Sequence, residues 1–200
     1  NAIGDILAWN MSQGPIYLWT LPMFHCNGWC FPWAIAAVNG TNICLRNVNA
    51  SSIYNAIKSY RVDHLCGAPI VLSMIVNAEE NERQEFNHTV KVMTAGAPPP
   101  VSTIKSIESI GFHITHAYGL TETYGPATVC AWHDNWSNEP IAEQARLKSR
   151  QGVEYPVLQS LSVRDSKTMK RVKADGKMLG EVMFRGNNLM KGYLKNPAAT

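Results

Sequence analysis

The sequence VKVMTAGAPPPVSTIKSIESIGFHITH, residues 90–116, indicates the fold class more clearly than any other part of the chain. Its first five residues, Val90–Thr94, form a short apolar run that favours a strand, and a pattern of helical spacing follows from Pro99 to Ile110. A second run, Phe112–His116, predicts another strand. Two strands joined by a helix of this length usually lie parallel in one sheet, with a right-handed crossover. The stretch therefore predicts a βαβ unit.

The same alternation extends upstream of this unit. Short apolar runs alternate with segments of helical spacing, and the first run opens after Gly14-Pro15. The predicted elements are a strand at Ile16–Phe24, a helix at Phe31–Val38, a strand at Asn42–Arg46, a helix at Ala50–Tyr60, a strand at Val62–Gly67 and a helix at Pro69–Ala78. We therefore predict an α/β fold whose partly parallel sheet has flanking helices.

Downstream of Thr123 the pattern changes, and no helical period follows Gln151. The predicted elements are a strand at Ala127–Trp132, a charged helix at Pro140–Arg150, and two strands of a β-hairpin at Leu158–Arg164 and Gly180–Arg185. We therefore divide the chain into a partial α/β core, residues 1–151, and the start of a β-rich subdomain, residues 152–200.

Charge and hydropathy exclude two classes of partner. The chain has 200 residues and a formal net charge of +3, and its Lys and Arg residues form no dense cluster, so nucleic acid is not an expected partner. The longest nearly uncharged apolar stretch, Trp29–Val38, is far shorter than the roughly 20 residues that span a bilayer. We therefore expect no membrane crossing.

The cysteines and the first residue indicate the context of the chain. Five cysteines lie among apolar residues without a CxxC pair, which predicts buried free thiols in a reducing compartment. They are Cys26, Cys30, Cys44, Cys66 and Cys130. The first residue is Asn rather than Met, so we expect a piece of a longer protein.

The strongest candidate for chemistry is the segment HAYGLTETYGP, His116–Pro126, which we predict to be a loop after a parallel strand. Open α/β sheets bind ligands at this end of their strands. The hydroxyls of Thr121 and Thr123 suit an anionic oxygen, the carboxylate of Glu122 suits Mg²⁺, and the Tyr118 ring suits a nucleotide base. An ordinary turn between strands is the alternative, since Gly and Thr are common in turns.

Three further segments are weaker candidates when each is taken alone. Thr94–Pro100 has small residues that would let backbone amides meet a ligand, or it is a plain connection to the next helix. Leu21–Trp29 places His25 at the end of a strand, where a packed core or turn histidine is the alternative. Gly180–Tyr193 is by itself a strand between glycine turns.

Two pairs of residues have spacings that bear on core packing and on metal binding. Trp29 and Trp33 are four residues apart, so on one helix they would share a face and pack in the core. His113 and His116 are an odd number of residues apart on a strand, so they point to opposite faces and make a poor metal pair. We expect no metal site of soft ligands.

Taken together, these segments resemble the AMP-forming acyl-CoA synthetases of the adenylate-forming superfamily, and most closely the plant acyl-activating enzymes related to butyrate- and benzoate-CoA ligases. The resemblance runs from about Ile16 to the end of the chain. Its most specific portions are LWTLPMFHCNGW at 18–29, YGLTETYGP at 118–126, and GEV at 180–182 together with MKGYLKNP at 190–197.

The resemblance implies a reaction and a set of site residues. In that family a carboxylic acid and ATP give an acyl-adenylate and pyrophosphate, and the thiol of coenzyme A then displaces AMP. The catalytic residues would be Thr121 as a phosphate contact, Glu122 as the Mg²⁺ ligand, and His25 beside the reacting carboxylate. The acyl pocket would include Trp29. The nucleotide would lie against Tyr118, with His116, Ala117 and Gly119 beside it and Gly96, Ala97 and Pro98 as the other wall.

Some motifs of the family do not occur in this sequence, and their absence leaves other functions open. The family's Ser/Thr/Gly-rich phosphate loop precedes the first motif and does not occur here, and the ribose-binding aspartate and lysine-bearing C-terminal domain would follow Thr200. We therefore expect a fragment with negligible ligase activity of its own. One alternative is a truncated, inactive paralogue that binds nucleotide or protein, and another is an adenylation module that loads a carrier protein.

The resemblance leaves the substrate and the compartment broadly defined. It implies short- or medium-chain fatty acids or aromatic acids, and the aromatic bulk near Trp29 favours short-chain or aromatic acids. Plant relatives work in peroxisomes or in the cytosol, so either compartment is expected.

Overall fold

The computed structural model describes all of residues 1–200 and contains seven helices and nine strands. The helices are α1 (Ala2–Ala8), α2 (Cys26–Trp29), α3 (Phe31–Ala37), α4 (Ala50–Tyr60), α5 (Pro69–Val76), α6 (Val101–Glu108) and α7 (Ile141–Lys148). The strands are β1 (Ile16–Trp19), β2 (Thr41–Cys44), β3 (His64–Gly67), β4 (Val90–Thr94), β5 (Phe112–Leu120), β6 (Gly125–Val129), β7 (Val153–Glu154), β8 (Ser160–Arg164) and β9 (Glu181–Arg185).

Seven of the strands form one sheet in the order β2-β1-β3-β4-β5-β6-β7. Strands β1 to β5 pair parallel with one another, and the two strands of the βαβ unit pair from Val90 with Phe112 to Thr94 with His116. Strands β6 and β7 join antiparallel to this part. The predicted α/β fold with a partly parallel sheet and flanking helices is confirmed.

The parallel strands are covered on both faces, as is usual for strands of this kind. Because side chains alternate along a strand, Leu18 packs into a core with α4, α5 and α6, while Tyr17 and Trp19 pack into a second core with α3. Val92 and Met93 divide between the two cores in the same way. The sheet is thus a rigid layer whose strand ends can position a site. None of the helices has the length and apolar character that crossing a bilayer requires.

Strand β1 is shorter than predicted. It ends at Trp19 instead of Phe24, and Pro22, which has no amide hydrogen for a ladder, lies just beyond it. The prediction that His25 ends a strand is therefore wrong, because His25 lies in the connection that precedes α2.

Strand β5 is longer than predicted. It runs to Leu120 rather than ending at His116, because Ala117 and Tyr118 pair with β6 and an irregularity in register between Tyr118 and Gly119 lets the pairing continue. Most of the segment that we expected to be a loop is therefore a strand, and the loop shrinks to a single 3₁₀ turn at Thr121–Thr123.

Helix α1 was not predicted. Its sequence, AIGDILA, contains two weak helix formers, Gly4 and Asp5, and it lacks a side-chain cap. Those two residues are its buried ones, and Gly4 lies against the Tyr155 ring. Tertiary packing therefore overrides a weak local preference.

The predicted hairpin strands are present as the two-stranded antiparallel sheet β8-β9, which pairs from Ser160 with Arg185 to Arg164 with Glu181. The division of the chain at residue 152 stays a prediction. Strand β7 follows that position and still belongs to the seven-stranded sheet, and a small core of Val129, Tyr155 and Leu158 packs beside it.

The five cysteines are all free, but they are not all buried as predicted. Cys30, Cys66 and Cys130 are buried, Cys26 is partly exposed, and Cys44 is exposed. The outlying position of Cys44 follows from the topology, because β2 is an edge strand of the sheet.

Candidate functional site

A cavity of about 260 Å³ lies at the C-terminal ends of β4 and β5. It collects residues from three of the four segments that the sequence singles out. They are His25, Cys26, Trp29, Ala95, Gly96, Gly119, Leu120, Thr121, Glu122, Gly125 and Pro126. This is the place at which a doubly wound α/β sheet presents its ligand site.

The floor of the cavity includes the 3₁₀ turn Thr121–Thr123, which connects β5 to β6. The buried Thr123 hydroxyl accepts from the Leu120 amide at 2.9 Å and lies 2.9 Å from the Gly125 carbonyl oxygen. Thr123 thus closes the turn, and its predicted role as an anion donor is wrong. Thr121 is exposed and makes no side-chain hydrogen bond, so its hydroxyl is free for a ligand.

Glu122 is the only carboxylate on this cavity. Its Oε1 accepts a hydrogen bond of 2.5 Å from the Tyr193 hydroxyl, and its carbonyl oxygen accepts the Met190 amide at 2.8 Å. The Tyr193 hydrogen bond lowers the pKa of Glu122, and the same bond raises the pKa of Tyr193. Glu122 is therefore anionic at neutral pH.

Another part of the cavity lining comes from α2, a single left-handed turn. Cys26, Asn27, Gly28 and Trp29 have φ of 46°, 45°, 59° and 53°. Such a run is costly for L-residues, and strain of this kind is concentrated at functional sites. The turn leaves His25 exposed at the cavity and buries Trp29 to 7%.

The predicted pairing of Trp29 and Trp33 on one helical face is wrong. Trp29 is buried, whereas Trp33 is 55% exposed. The reason is Cys30, whose φ of 70° breaks the path between α2 and α3, so the two tryptophans do not share a helix.

The loop after β4 supplies Ala95 and Gly96 to the cavity. Gly96 has φ of +88°, a conformation that favours glycine, and a Cβ there would meet nothing within 4 Å. Its backbone is thus open to a ligand. Ala97 and Pro98 are exposed in the same loop and do not line the cavity.

Three further predicted nucleotide contacts, besides Ala97 and Pro98, lie outside the cavity lining. His116 is buried, and its Nδ1 donates to the carbonyl oxygens of Ser149 and Arg150 at 3.1 and 2.9 Å, while burial lowers its pKa. Ala117 belongs to the second core. Tyr118 is half-buried with its ring 6.0 Å from the Phe184 ring, measured between centroids.

Sequence reasoning missed several residues of the site. Four residues that line the cavity have no predicted role, namely Cys26, Leu120, Gly125 and Pro126. Each of them lies inside one of the candidate segments, but the predicted roles fall on its neighbours. Tyr193 was quoted in a motif without a role, and its contact with Glu122 joins residues too far apart in sequence for spacing to reveal.

The donor set fits one kind of metal. The structure holds no group of three or more His, Cys, Asp or Glu side chains that could bind an ion. Mg²⁺ differs from Zn²⁺ or Ca²⁺ in that it is often held by one or two carboxylates together with waters and phosphate oxygens of a substrate. A single anionic carboxylate, Glu122, beside the free hydroxyl of Thr121 suits that mode.

Comparison with known proteins gives a consistent result. The family model described as AMP-binding enzyme matches residues 1–194. The chain is 55% identical over 199 residues to a peroxisomal acetate/butyrate–CoA ligase of Arabidopsis thaliana, covering 99% of the chain and 35% of that protein. It is 45% identical over 199 residues to a peroxisomal trans-cinnamate:CoA ligase of Petunia hybrida, covering 100% and 35%.

Solved structures show the same fold at lower identity. The N-terminal domain of FACL13 from Mycobacterium tuberculosis superposes with a TM-score of 0.79 at 22% identity, covering 100% of this chain and 47% of that one. An o-succinylbenzoate coenzyme A synthetase from Bacillus subtilis, in complex with ATP and magnesium ion, gives 0.76 at 18% identity, covering 99% and 38%. The chain spans about a third of the length of the curated relatives it matches.

Proposed function

The chain belongs to the AMP-binding enzyme family, and from this premise we propose that it is the central part of an acid–CoA ligase that activates a carboxylic acid with ATP. The observation that carries the proposal is the cavity at the ends of β4 and β5. The Thr121–Glu122 turn, suited to phosphate and Mg²⁺, lines this cavity together with Trp29 and the exposed His25.

The proposed reaction has two displacements. A carboxylate oxygen attacks the α-phosphorus of ATP, forming the acyl-adenylate as the bond to pyrophosphate breaks. The thiol sulfur of coenzyme A then attacks the acyl carbonyl, its proton is lost, and AMP leaves. Both steps depend mainly on alignment and on stabilising charge at the phosphate oxygens.

The side chains of this cavity divide these tasks. Thr121 donates its hydroxyl to a phosphate oxygen, and Glu122 holds Mg²⁺, which neutralises phosphate charge when bound. His25 lies beside the acid carboxylate, and Trp29 closes the apolar end of the pocket. The backbone at Gly96 and Gly119 allows the nucleotide to approach closely.

The remaining nucleotide contacts are proposed from the resemblance. Tyr118 stacks on adenine with the part of its ring that Phe184 leaves uncovered, and Ala97 and Pro98 form the edge of the wall that begins at Gly96. His116 and Ala117 are both buried, and they support the nucleotide site indirectly by fixing the backbone that leads to Tyr118.

The substrate class is proposed from the lining of the cavity and from the relatives. The buried Trp29 ring gives the cavity an apolar surface that suits a short- or medium-chain fatty acid or an aromatic acid. The relatives' names are consistent with this range, since they include acetate, butyrate, 2-methylpropanoate and cinnamate ligases. Because several of those relatives are peroxisomal, we propose a peroxisomal or cytosolic location.

The test uses the parent protein, by which we mean the natural protein that carries these residues. ATP- and CoA-dependent thioester formation is measured over a panel of short, medium and aromatic acids. Glu122→Gln should lower kcat/KM by about 10²- to 10³-fold, as expected when a group that stabilises transition-state charge is lost. Glu143→Gln on α7 is the matched control and should leave it unchanged.

Two outcomes would change the conclusion. Full activity in Glu122→Gln would contradict the proposed site. ATP binding without thioester formation from any acid would instead support a nucleotide-binding module without catalytic activity.

A further inference from the structure

The structure assigns a positioning role to Tyr193: the segment Asn188–Tyr193, which we name the brace, holds Glu122 ready for Mg²⁺·ATP. This inference rests on the proposed function, because Glu122 is the Mg²⁺ ligand proposed there. It adds a residue outside the cavity lining to the residues on which metal binding depends.

Three hydrogen bonds join the brace to the turn that carries Glu122. The Tyr193 hydroxyl donates to Glu122 Oε1 at 2.5 Å, the Met190 amide donates to the Glu122 carbonyl at 2.8 Å, and the Asn188 side-chain amide donates to the Thr123 carbonyl at 3.1 Å. The side chain and the backbone of the turn are thus fixed from the same segment.

The turn needs such support because little else orders the Glu122 side chain. It lies on a 3₁₀ turn of three residues and is partly exposed, so a free glutamate here would sample several rotamers and lose that freedom on binding a metal. The hydrogen bond from Tyr193 already restricts these rotamers, so less conformational entropy is lost when the metal binds. Partners of this kind, one step behind a metal ligand, tune the affinity for the metal.

The geometry leaves the ligand oxygen available. Tyr193 occupies Oε1, whereas Oε2 of Glu122 makes no hydrogen bond to the protein. The Tyr193 hydroxyl therefore restrains the orientation of the carboxylate through Oε1 and leaves Oε2 for a ligand.

Tyr193 is itself held in place. Its amide donates to the Thr200 hydroxyl at 2.9 Å, and its carbonyl oxygen accepts the Asn196 amide at 3.2 Å. The tyrosine therefore begins a compact turn instead of lying on a free strand, and its hydroxyl is presented to Glu122 from a defined backbone.

The experiment is a double-mutant cycle in the parent protein, read as ATP affinity by calorimetry with and without Mg²⁺. Tyr193→Phe should weaken ATP binding in Mg²⁺ about tenfold and leave binding without metal unchanged. In the Glu122→Gln background the same substitution should have no further effect, because its target is gone. Tyr60→Phe, an exposed tyrosine on α4 without a hydroxyl hydrogen bond, is the control and should match the wild type.

Each of the other outcomes contradicts either the positioning role of Tyr193 alone or the proposed site as well. If Tyr193→Phe leaves the affinity in Mg²⁺ unchanged, or weakens it equally in the Glu122→Gln background, Tyr193 is not a positioning residue and the proposed function is untouched. If the wild type binds no ATP under any condition, or if Glu122→Gln retains the full effect of Mg²⁺, the proposed site fails and this inference fails with it.

Discussion

The Tyr155 hydroxyl donates a hydrogen bond of 2.6 Å to Asp5 Oδ1, and both side chains are buried. The bond joins α1 to the segment that follows β7. Asp5 Oδ2 has no hydrogen-bond partner. Burial raises the pKa of Asp5 from 3.8 to about 8, although the Tyr155 hydrogen bond acts in the opposite direction. At neutral pH this carboxyl is therefore mostly protonated in the folded state.

This pair predicts a pH dependence of stability. Between pH 4 and 8 the unfolded chain has lost the Asp5 proton while the folded chain retains it, so the free energy of unfolding should fall as pH rises, by at most about 1.4 kcal/mol per pH unit. Asp5→Asn removes this contribution. Urea unfolding of the parent protein should show that the free energy of unfolding of the variant rises relative to that of the wild type from pH 4.5 to 7.5. If the two free energies change in parallel with pH, the raised pKa of Asp5 is contradicted.

Thiol reactivity tests the burial pattern and the site together. Thiolates are the reactive form, and burial raises the pKa of Cys30 to about 12 and also raises that of Cys66 and Cys130. Alkylation of the native protein, followed by mass spectrometry, should therefore modify Cys44 first and Cys26 more slowly, and should spare the other three.

ATP with an acid should protect Cys26, which lines the cavity, and should leave the rate at Cys44 unchanged as an internal control. Equal protection of both thiols, or of neither, would separate Cys26 from the binding site.

Two ion pairs on α7 should differ in their contribution to stability. Lys148 pairs with Glu108 of α6, and their side chains are 7% and 19% exposed, whereas Arg146 and Glu143 form a pair at the surface. Glu108→Gln leaves a buried ammonium group unpaired, so it should cost about 3 kcal/mol. Glu143→Gln should cost less than about 1 kcal/mol. Urea unfolding measures both, and equal losses would contradict the burial of the first pair.

The close approach of β5 and β6 makes Gly119 sensitive to any side chain. A Cβ there would lie 2.0 Å from the Gly125 carbonyl oxygen, and this backbone contact cannot relax by rotating a side chain. Gly119→Ala should cost at least about 1–3 kcal/mol of unfolding free energy and displace the turn that carries Glu122, weakening ATP binding.

Gly176→Ala is the control for this substitution. Gly176, unlike Gly119, has a positive φ, +68°, and a Cβ there has nothing within 4 Å. The Gly176→Ala variant should lose about 1 kcal/mol of unfolding free energy through backbone strain and keep the ATP affinity of the wild type. If Gly119→Ala binds ATP as tightly as this control does, the strand geometry around the site is not what positions Glu122.

The sequence is most informative where local pattern and final pairing agree. Strand β4 has the predicted bounds, Val90–Thr94, and the helix that follows it lies inside the predicted Pro99–Ile110, because apolar spacing alone determines both. The end of β5 was not predictable in this way. Its last residues are held by antiparallel pairing with β6, which is a long-range relationship.

In the candidate site too, some features follow from the local sequence and others depend on long-range contacts. The segments that converge on the cavity could be identified from composition and resemblance, since they contain the glycines, threonines and carboxylate that such a site needs. The left-handed turn at Cys26–Trp29 could not, because Cys26 and Trp29, at its two ends, are types that rarely adopt positive φ. The contact between Tyr193 and Glu122 depends on how the chain returns to the sheet after β9.

We propose that the cavity at the ends of β4 and β5 activates a carboxylic acid with ATP. The most direct test is exchange of labelled pyrophosphate into ATP by the parent protein, because it reports acyl-adenylate formation alone. We predict exchange that requires an added acid, falls at least about 100-fold in Glu122→Gln and persists in Glu143→Gln. No acid-dependent exchange in the wild type, or undiminished exchange in Glu122→Gln, would contradict the claim.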